Sequence, residues 1–378
     1  MNIAILGLGT IGSGVYELLK DNREITVKKI LDIRVWMDNM TTEIDDIVND
    51  ESIELVVETM GGIHPAREYA LKCLEAGKSY VSANKLLISA CAFELQQAAD
   101  KSGAALLFSA SCGGGIPYLY NLQKTKAADR VVSLGGILNG TTNFILDSVF
   151  SDGMDYESAL KTAQELGYAE RDPSSDIDGL DTLRKLLLSC AVAYGKLPKE
   201  ETVPCYGIRG LNDTDVCYAK SKNCVIRLTA SGKPGANGTL NVYVAPQLLP
   251  CGSPESSIRK NINYAWYEGE KIGRFAFSGQ GAGKFPTAGN IVRDIYSVCR
   301  GEKRMFPKDL VSVEAVNSDK HRFYVRMPEN EINRLSAFSA HTEIKNGCAL
   351  TETVPISFGE LRSAIDGAGD TFVLILED

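Results

Sequence analysis

The chain has 378 residues, of which 44% are hydrophobic and 23% charged, and its formal net charge is −8. That length holds two or three domains with full cores. The acidic balance leaves no basic stripe to neutralise the phosphates of a nucleic acid, and no run approaches the ~18 apolar residues of a membrane span. The first residues, MNIAILGLG, lack the basic segment of a signal peptide and read as a strand entering a glycine loop. The ten cysteines contain no CxxC pair. They therefore suggest neither a metal site nor a disulfide framework, and they fit the reduced thiols of a cytoplasmic protein.

Asn2 to Leu6 is a short apolar run of the kind found in buried parallel strands, and GLGTIG (7–12) follows it. A helix with Ile11, Val15, Leu18 and Leu19 on one face comes next, then strands at 25–32 and 53–59. A helix after Pro65 carries Tyr69, Ala70 and Cys73; beyond it lie a strand at 79–82, a loop at 83–85, a helix at 90–101 and a strand at 104–109. This alternation predicts an α/β domain over residues 1–112, with a doubly wound parallel sheet.

The rhythm changes at Gly113. Gly113-Gly114-Gly115-Ile116-Pro117 opens a helix, 131–138 is a strand, Asn139 starts another helix, and 159–166 and 180–194 are helical. Between Cys224 and Phe277, alternation and glycine-containing turns predict a largely antiparallel sheet, so 113–285 reads as an α+β domain. A helix over 286–300 is expected to pack back on the first domain. Residues 303–378 form a small α/β tail, with strands near 310–316, 322–326 and 372–376.

GLGTIG lies between a strand and a helix, the context in which GxGxxG binds a dinucleotide. Gly7 permits the tight turn, Gly9 lets backbone approach a pyrophosphate, and Gly12 allows close helix packing. The helix N-terminus adds free N–H donors. Asp32, near the end of the second strand, suits an adenosine ribose, whereas Lys28, Lys29 and Arg34 suit a 2′-phosphate, so the choice between NAD and NADP stays open. Thr59 and Lys85 follow the carboxyl ends of strands, where ligands of such sheets sit. His64, a lone loop histidine, is expected to be chemically silent.

Gly167 to Lys185, GYAERDPSSDIDGLDTLRK, carries Glu170, Asp172, Asp176, Asp178 and Asp181 and runs from a polar loop into an apolar helix. Asp178 is expected near the helix N-cap. Asp181 and Lys185 are four apart and share a helix face. A surface ion pair would fit that spacing, but the surrounding leucines leave little exposed face for one. A lysine partly desolvated beside a carboxylate can serve as a general acid.

These segments, with ANK (83–85), GGIP (114–117), GGILNGTTNFIL (135–146) and GQGAGKFPTA (279–288), resemble homoserine dehydrogenase along most of residues 1 to about 300. The resemblance implies NAD(P)H-dependent reduction of aspartate 4-semialdehyde to homoserine, in threonine, methionine and isoleucine synthesis. It implies that Gly7, Gly9, Thr10, Ile11 and Gly12 hold the pyrophosphate and that Thr59 and Lys85 lie near the nicotinamide. Glu170 would bind the substrate ammonium, with Asp176 and Lys85 also at the substrate; Asp181 would orient substrate and lysine, and Lys185 would be the general acid. It implies a monovalent cation, Na+ or K+, on backbone carbonyls of Ser109, Cys112, Gly114 and Ile116. There the family usually has Glu-Ala-Ser-Val, and this chain has Ser109-Ala110-Ser111-Cys112. It also implies a homodimer formed through the middle sheet. The tail stands where an ACT-like, amino-acid-binding module occurs, with threonine as the implied effector, although no Asp-x-Pro-Gly turn is present. A related nicotinamide oxidoreductase on another small amino acid or aldehyde, and a non-catalytic ligand sensor, are the alternative readings.

Overall fold

The structure is a computed structural model describing residues 1–376. The first unit contains β1 (Asn2–Leu6), α1 (Thr10–Leu19), β2 (Thr26–Leu31), β3 (Met40–Thr41), α2 (Asp45–Val48), β4 (Leu55–Glu58), α3 (Ala66–Glu75), β5 (Ser79–Ser82), α4 (Lys85–Ala90), α5 (Ala92–Ser102) and β6 (Leu106–Leu107). The six strands are parallel, in the order β3-β2-β1-β4-β5-β6. β1 and β4 are buried along nearly their whole length, as a sheet covered by helices requires. Order reverses beside β1, which places a crevice at its carboxyl end, directly above the glycine turn.

Lys85 is not in a loop; it is the first residue of α4. Asn84 caps that helix by accepting the Leu87 N–H at 3.1 Å, and the helical run breaks at Cys91 before resuming as α5. The cap is a side-chain event that hydrophobic spacing does not report.

The second unit holds α6 (Tyr118–Lys126), β7 (Val131–Ile137), α7 (Gly140–Ser151), α8 (Tyr156–Glu165), α9 (Ser174–Ile177), α10 (Leu180–Tyr194), β8 (Lys196–Pro198), α11 (Asp213–Ser221), β9 (Cys224–Pro234), β10 (Leu240–Pro250), β11 (Ile262–Gly269), β12 (Gly273–Gln280) and α12 (Lys284–Cys299). Strands run β12-β11-β7-β9-β10, all antiparallel. α10 packs on β7 and β9 and against α4 and α6, so nearly every one of its faces is covered. Gly232 permits this closeness: a Cβ there would sit 2.8 Å from Cys190 Sγ. α10 begins at Gly179, whose φ is +86°. Asp178, expected near its N-cap, stands immediately before Gly179 and pairs with the Arg209 guanidinium at 2.6 Å. α12 returns to the first unit and packs on α1, where a Cβ on Gly14 would lie 2.9 Å from the Lys284 carbonyl.

The tail contains β13 (Val311–Val313), β14 (Lys320–Pro328), β15 (Ser339–Lys345), β16 (Cys348–Thr353), β17 (Ile356–Ser357), α13 (Phe358–Ile365) and β18 (Phe372–Leu376). Its four long strands lie in the order β18-β14-β16-β15, a ferredoxin-like arrangement whose first helix is reduced to a 3₁₀ segment at Glu329–Leu335. The tail does not stand apart. β18 pairs in parallel with β10 at Gln247↔Ile375 and Leu248↔Leu376, so both units share one ten-stranded sheet. β13 lies outside that sheet and pairs with β8.

Candidate active site

Three segments meet at a cleft of about 710 Å³: the amino end of α1, the amino end of α4, and the 166–185 stretch leading into α10. Lys85, Asn139, Glu170, Asp176, Asp181 and Lys185 all line it, together with Ile11 and Gly114.

Asp181 organises the charges. Its Oδ2 lies 2.7 Å from Lys185 Nζ, and its Oδ1 lies 2.9 Å from Lys85 Nζ. Asn139 Nδ2 donates to Asp181 Oδ2 at 2.8 Å and to Asp176 Oδ1 at 2.6 Å. Burial pushes the Asp181 carboxyl upward, but the ammoniums of Lys185 and Lys85 and a hydrogen bond from Asn139 outweigh it and hold the group well below the usual carboxylate range. Its charge in turn raises Lys85 above the ordinary lysine value, against burial. Burial, and then the nearby Asp181 charge, push Asp176 up.

Lys185 Nζ also donates to the Leu138 carbonyl at 2.7 Å. An ammonium has three N–H groups; among the described residues two are engaged, which leaves one for a ligand in the cleft. The Lys185 side chain is 10% exposed and that of Lys85 35%, so the first is a proton group shielded from bulk water and the second a more open cation. Glu170 is exposed at the rim, its backbone carbonyl accepting from Gln164 Nε2 at 3.1 Å.

The glycine turn adjoins the cleft at Ile11, with Gly9 and Thr10 exposed. Gly7 has φ +87°, and a Cβ on Gly12 would stand 1.9 Å from the Gly7 carbonyl oxygen, so the turn and helix can close only with glycine there. A Cβ on Gly9 would meet nothing within 4 Å. That open approach, at the N-terminus of α1 beside Thr10 and Ile11, suits a pyrophosphate. Thr59 Oγ1 donates to the Gly7 carbonyl at 2.7 Å and so locks the turn. Asp32 accepts the Leu8 N–H at 2.8 Å and braces the same loop. Lys28 pairs with Asp50 at 2.9 Å, and exposed His64 pairs with Glu68 at 2.7 Å.

Two supporting residues escaped the reading of the chain. Asn139 links both aspartates and caps α7, accepting the Thr142 N–H at 2.8 Å; an asparagine before a helical run, within the GGILNGTTNFIL segment, was its signal. Buried Glu58 accepts from Met60 N at 2.8 Å, Gly61 N at 3.1 Å and Ser82 Oγ at 2.6 Å, fixing the loop after β4. Burial raises its carboxyl, opposed by those hydrogen bonds. Nothing in its apolar strand marks it out beforehand.

A family profile described as the NAD-binding domain of homoserine dehydrogenase matches residues 7–109, and one described as homoserine dehydrogenase matches 117–296. The chain belongs to the homoserine dehydrogenase family. A homoserine dehydrogenase of Synechocystis sp. is 38% identical over 316 residues, 79% of this chain and 73% of that protein. One of Bacillus subtilis is 33% identical over the same shares of the two chains. The crystal structure of a homoserine dehydrogenase from Thiobacillus denitrificans superposes with a TM-score of 0.89 at 29% identity, covering 100% of this chain and 98% of that one. A hyperthermophilic archaeal homoserine dehydrogenase in complex with NADPH gives a TM-score of 0.69 at 25% identity, covering 81% of this chain and 98% of that one. Among homoserine dehydrogenases, then, this chain has the nucleotide-binding sheet, the mixed sheet and the tail in one continuous structure. No helix among the described residues is long and apolar enough to cross a membrane.

Proposed function

We propose that Lys185 is the proton donor in the NAD(P)H-dependent reduction of L-aspartate 4-semialdehyde to L-homoserine, and the proton acceptor in the reverse direction. The observation that carries this is the buried Lys185–Asp181 pair inside the cleft, with one lysine N–H left for a ligand. Bound NAD(P)H supplies the hydride to the aldehyde carbon. As charge develops on the carbonyl oxygen, a proton on Lys185 Nζ passes to it and a neutral amine remains. Asp181 and the Leu138 carbonyl hold that nitrogen in place.

Glu170 at the rim binds the substrate ammonium, with Asp176 beside it, and Lys85 faces both substrate and nicotinamide. Gly7, Gly9, Thr10, Ile11 and Gly12 cradle the pyrophosphate, and Thr59 borders the nicotinamide while locking the loop. The reaction belongs to threonine, methionine and isoleucine biosynthesis in the cytoplasm. The enzyme works as a homodimer joined through the middle sheet; exposed Ile272 and Phe275 on its edge hairpin support this. The tail is an ACT-like module with threonine as its effector. Its ferredoxin-like strand order supports that reading, and unchanged activity in millimolar threonine counts against it.

A coupled absorbance assay of homoserine oxidation, run in parallel with NAD and NADP, tests the reaction and settles the cofactor. Activity on another small amino alcohol with none on homoserine favours the related oxidoreductase. Nucleotide binding with no turnover of any such substrate favours the sensor.

A further inference from the structure

The loop at 109–116, where the family resemblance places a monovalent cation, is already filled. Asn290 on α12 is 1% exposed. Its Nδ2 donates to the carbonyls of Gly114 at 2.8 Å, Ile116 at 3.0 Å and, more weakly, Ser109 at 3.5 Å. Those are three of the four carbonyls expected to ligate the ion. The amide orientation is set by the network: Asn290 Oδ1 accepts from the Arg293 guanidinium, which turns the nitrogen toward the carbonyls. One helical turn on, Asp294 Oδ2 accepts the Ser109 N–H at 2.7 Å and pins the start of the same loop.

A hard cation gathers oxygen ligands. An amide nitrogen with two protons presents a partial positive charge to the same oxygens, and the two cannot share the space. The usual family glutamate is Ser109 here, so the negative charge that would favour a cation is missing from this position as well. The loop matters to the cleft because Gly114 lines it and packs on the 280–282 turn, with Gly115 N donating to the Gln280 carbonyl at 3.1 Å.

We propose that the Asn290 side-chain amide takes the place of the monovalent cation, and that this chain holds the 109–116 loop and the cleft wall without Na+ or K+. The test is thermal unfolding of the full chain in sodium, potassium or choline chloride at equal ionic strength, a readout that does not depend on which substrate is turned over. The wild-type midpoint is expected to be the same in all three salts. A saturable rise of several degrees specific to Na+ or K+, as binding to the native state requires, overturns the proposal. Asn290→Ala is expected to unfold at a lower temperature and to recover part of the loss in Na+ or K+ and none in choline. A folded Asn290→Ala protein with no such response overturns the claim that the amide stands in a cation cage. Should that variant not fold, thallium-soaked wild-type crystals decide: no anomalous peak among the Ser109, Gly114 and Ile116 carbonyls is expected, and a peak there sinks the proposal.

Discussion

Lys185 and Asp181, one turn apart on α10, meet at 2.7 Å on a helix buried on almost every side. At the surface the same spacing contributes only about 0.3–0.5 kcal/mol. Inside the cleft the carboxylate also holds Lys85, and removing one partner from such a buried set leaves uncompensated charge.

Asp181→Asn is therefore expected to destabilise the protein by about 3–5 kcal/mol at neutral pH, read from urea unfolding. The sign with pH follows from the depressed carboxyl. Its folded value lies below the unfolded one, so ionised Asp181 contributes its full stabilisation above about pH 4, and that contribution is lost as pH falls further. The difference between wild type and variant should be flat from neutral pH to about pH 5 and shrink below about pH 4. A difference that grows on acidification contradicts the assignment.

Lys185→Ala should nearly abolish turnover in both directions while nucleotide still binds, because the lysine lies in the cleft and outside the glycine turn. General acids contribute roughly 10²–10⁴ in rate. A variant retaining about a tenth of wild-type kcat or more rules out Lys185 as the proton donor.

For Glu170→Gln, the exposed rim position predicts an effect on KM for homoserine, about tenfold for the loss of one charge-assisted bond, with kcat changed much less. A fall in kcat at unchanged KM would place Glu170 in the chemical step instead.

The second and third glycines of the turn should separate. Gly12→Ala drives a Cβ to 1.9 Å from the Gly7 carbonyl, so it should lower both the unfolding midpoint and nucleotide affinity. Gly9→Ala meets no protein atom; its midpoint should stay near wild type while the Kd for nucleotide rises. Equal nucleotide affinity in Gly9→Ala and wild type would move the pyrophosphate elsewhere.

The tail offers a stability test. Arg326 is 1% exposed and pairs with fully buried Asp215 at 3.0 Å, with Tyr324 Oη donating to the same carboxylate at 2.9 Å. Arg326→Ala should cost about 3–5 kcal/mol, whereas Arg326→Met, which removes the charge but keeps apolar volume, should cost less than Arg326→Ala. The same loss for both would show that the unpaired aspartate, not packing, sets the cost.

The chain by itself determined what local chemistry determines. The strand–GLGTIG–helix order marks a nucleotide turn, because the glycine at position 12 is demanded by a contact only five residues away, at Gly7. The apolar run from Leu180 to Tyr194 announces a buried helix, and the four-residue spacing sets Asp181 beneath Lys185. Alternation between Cys224 and Phe277 announces antiparallel strands. Tertiary structure alone decided the long-range partners. Lys85 reaches Asp181 across 96 positions of sequence, Asn139 ties two aspartates together from another helix, and β18 joins the tail to β10. Asn290 lies more than 170 residues from the carbonyls it meets. Such pairings depend on how α10 and α12 pack against the two sheets, and hydrophobic periodicity records which face of a helix is buried but not which neighbour buries it.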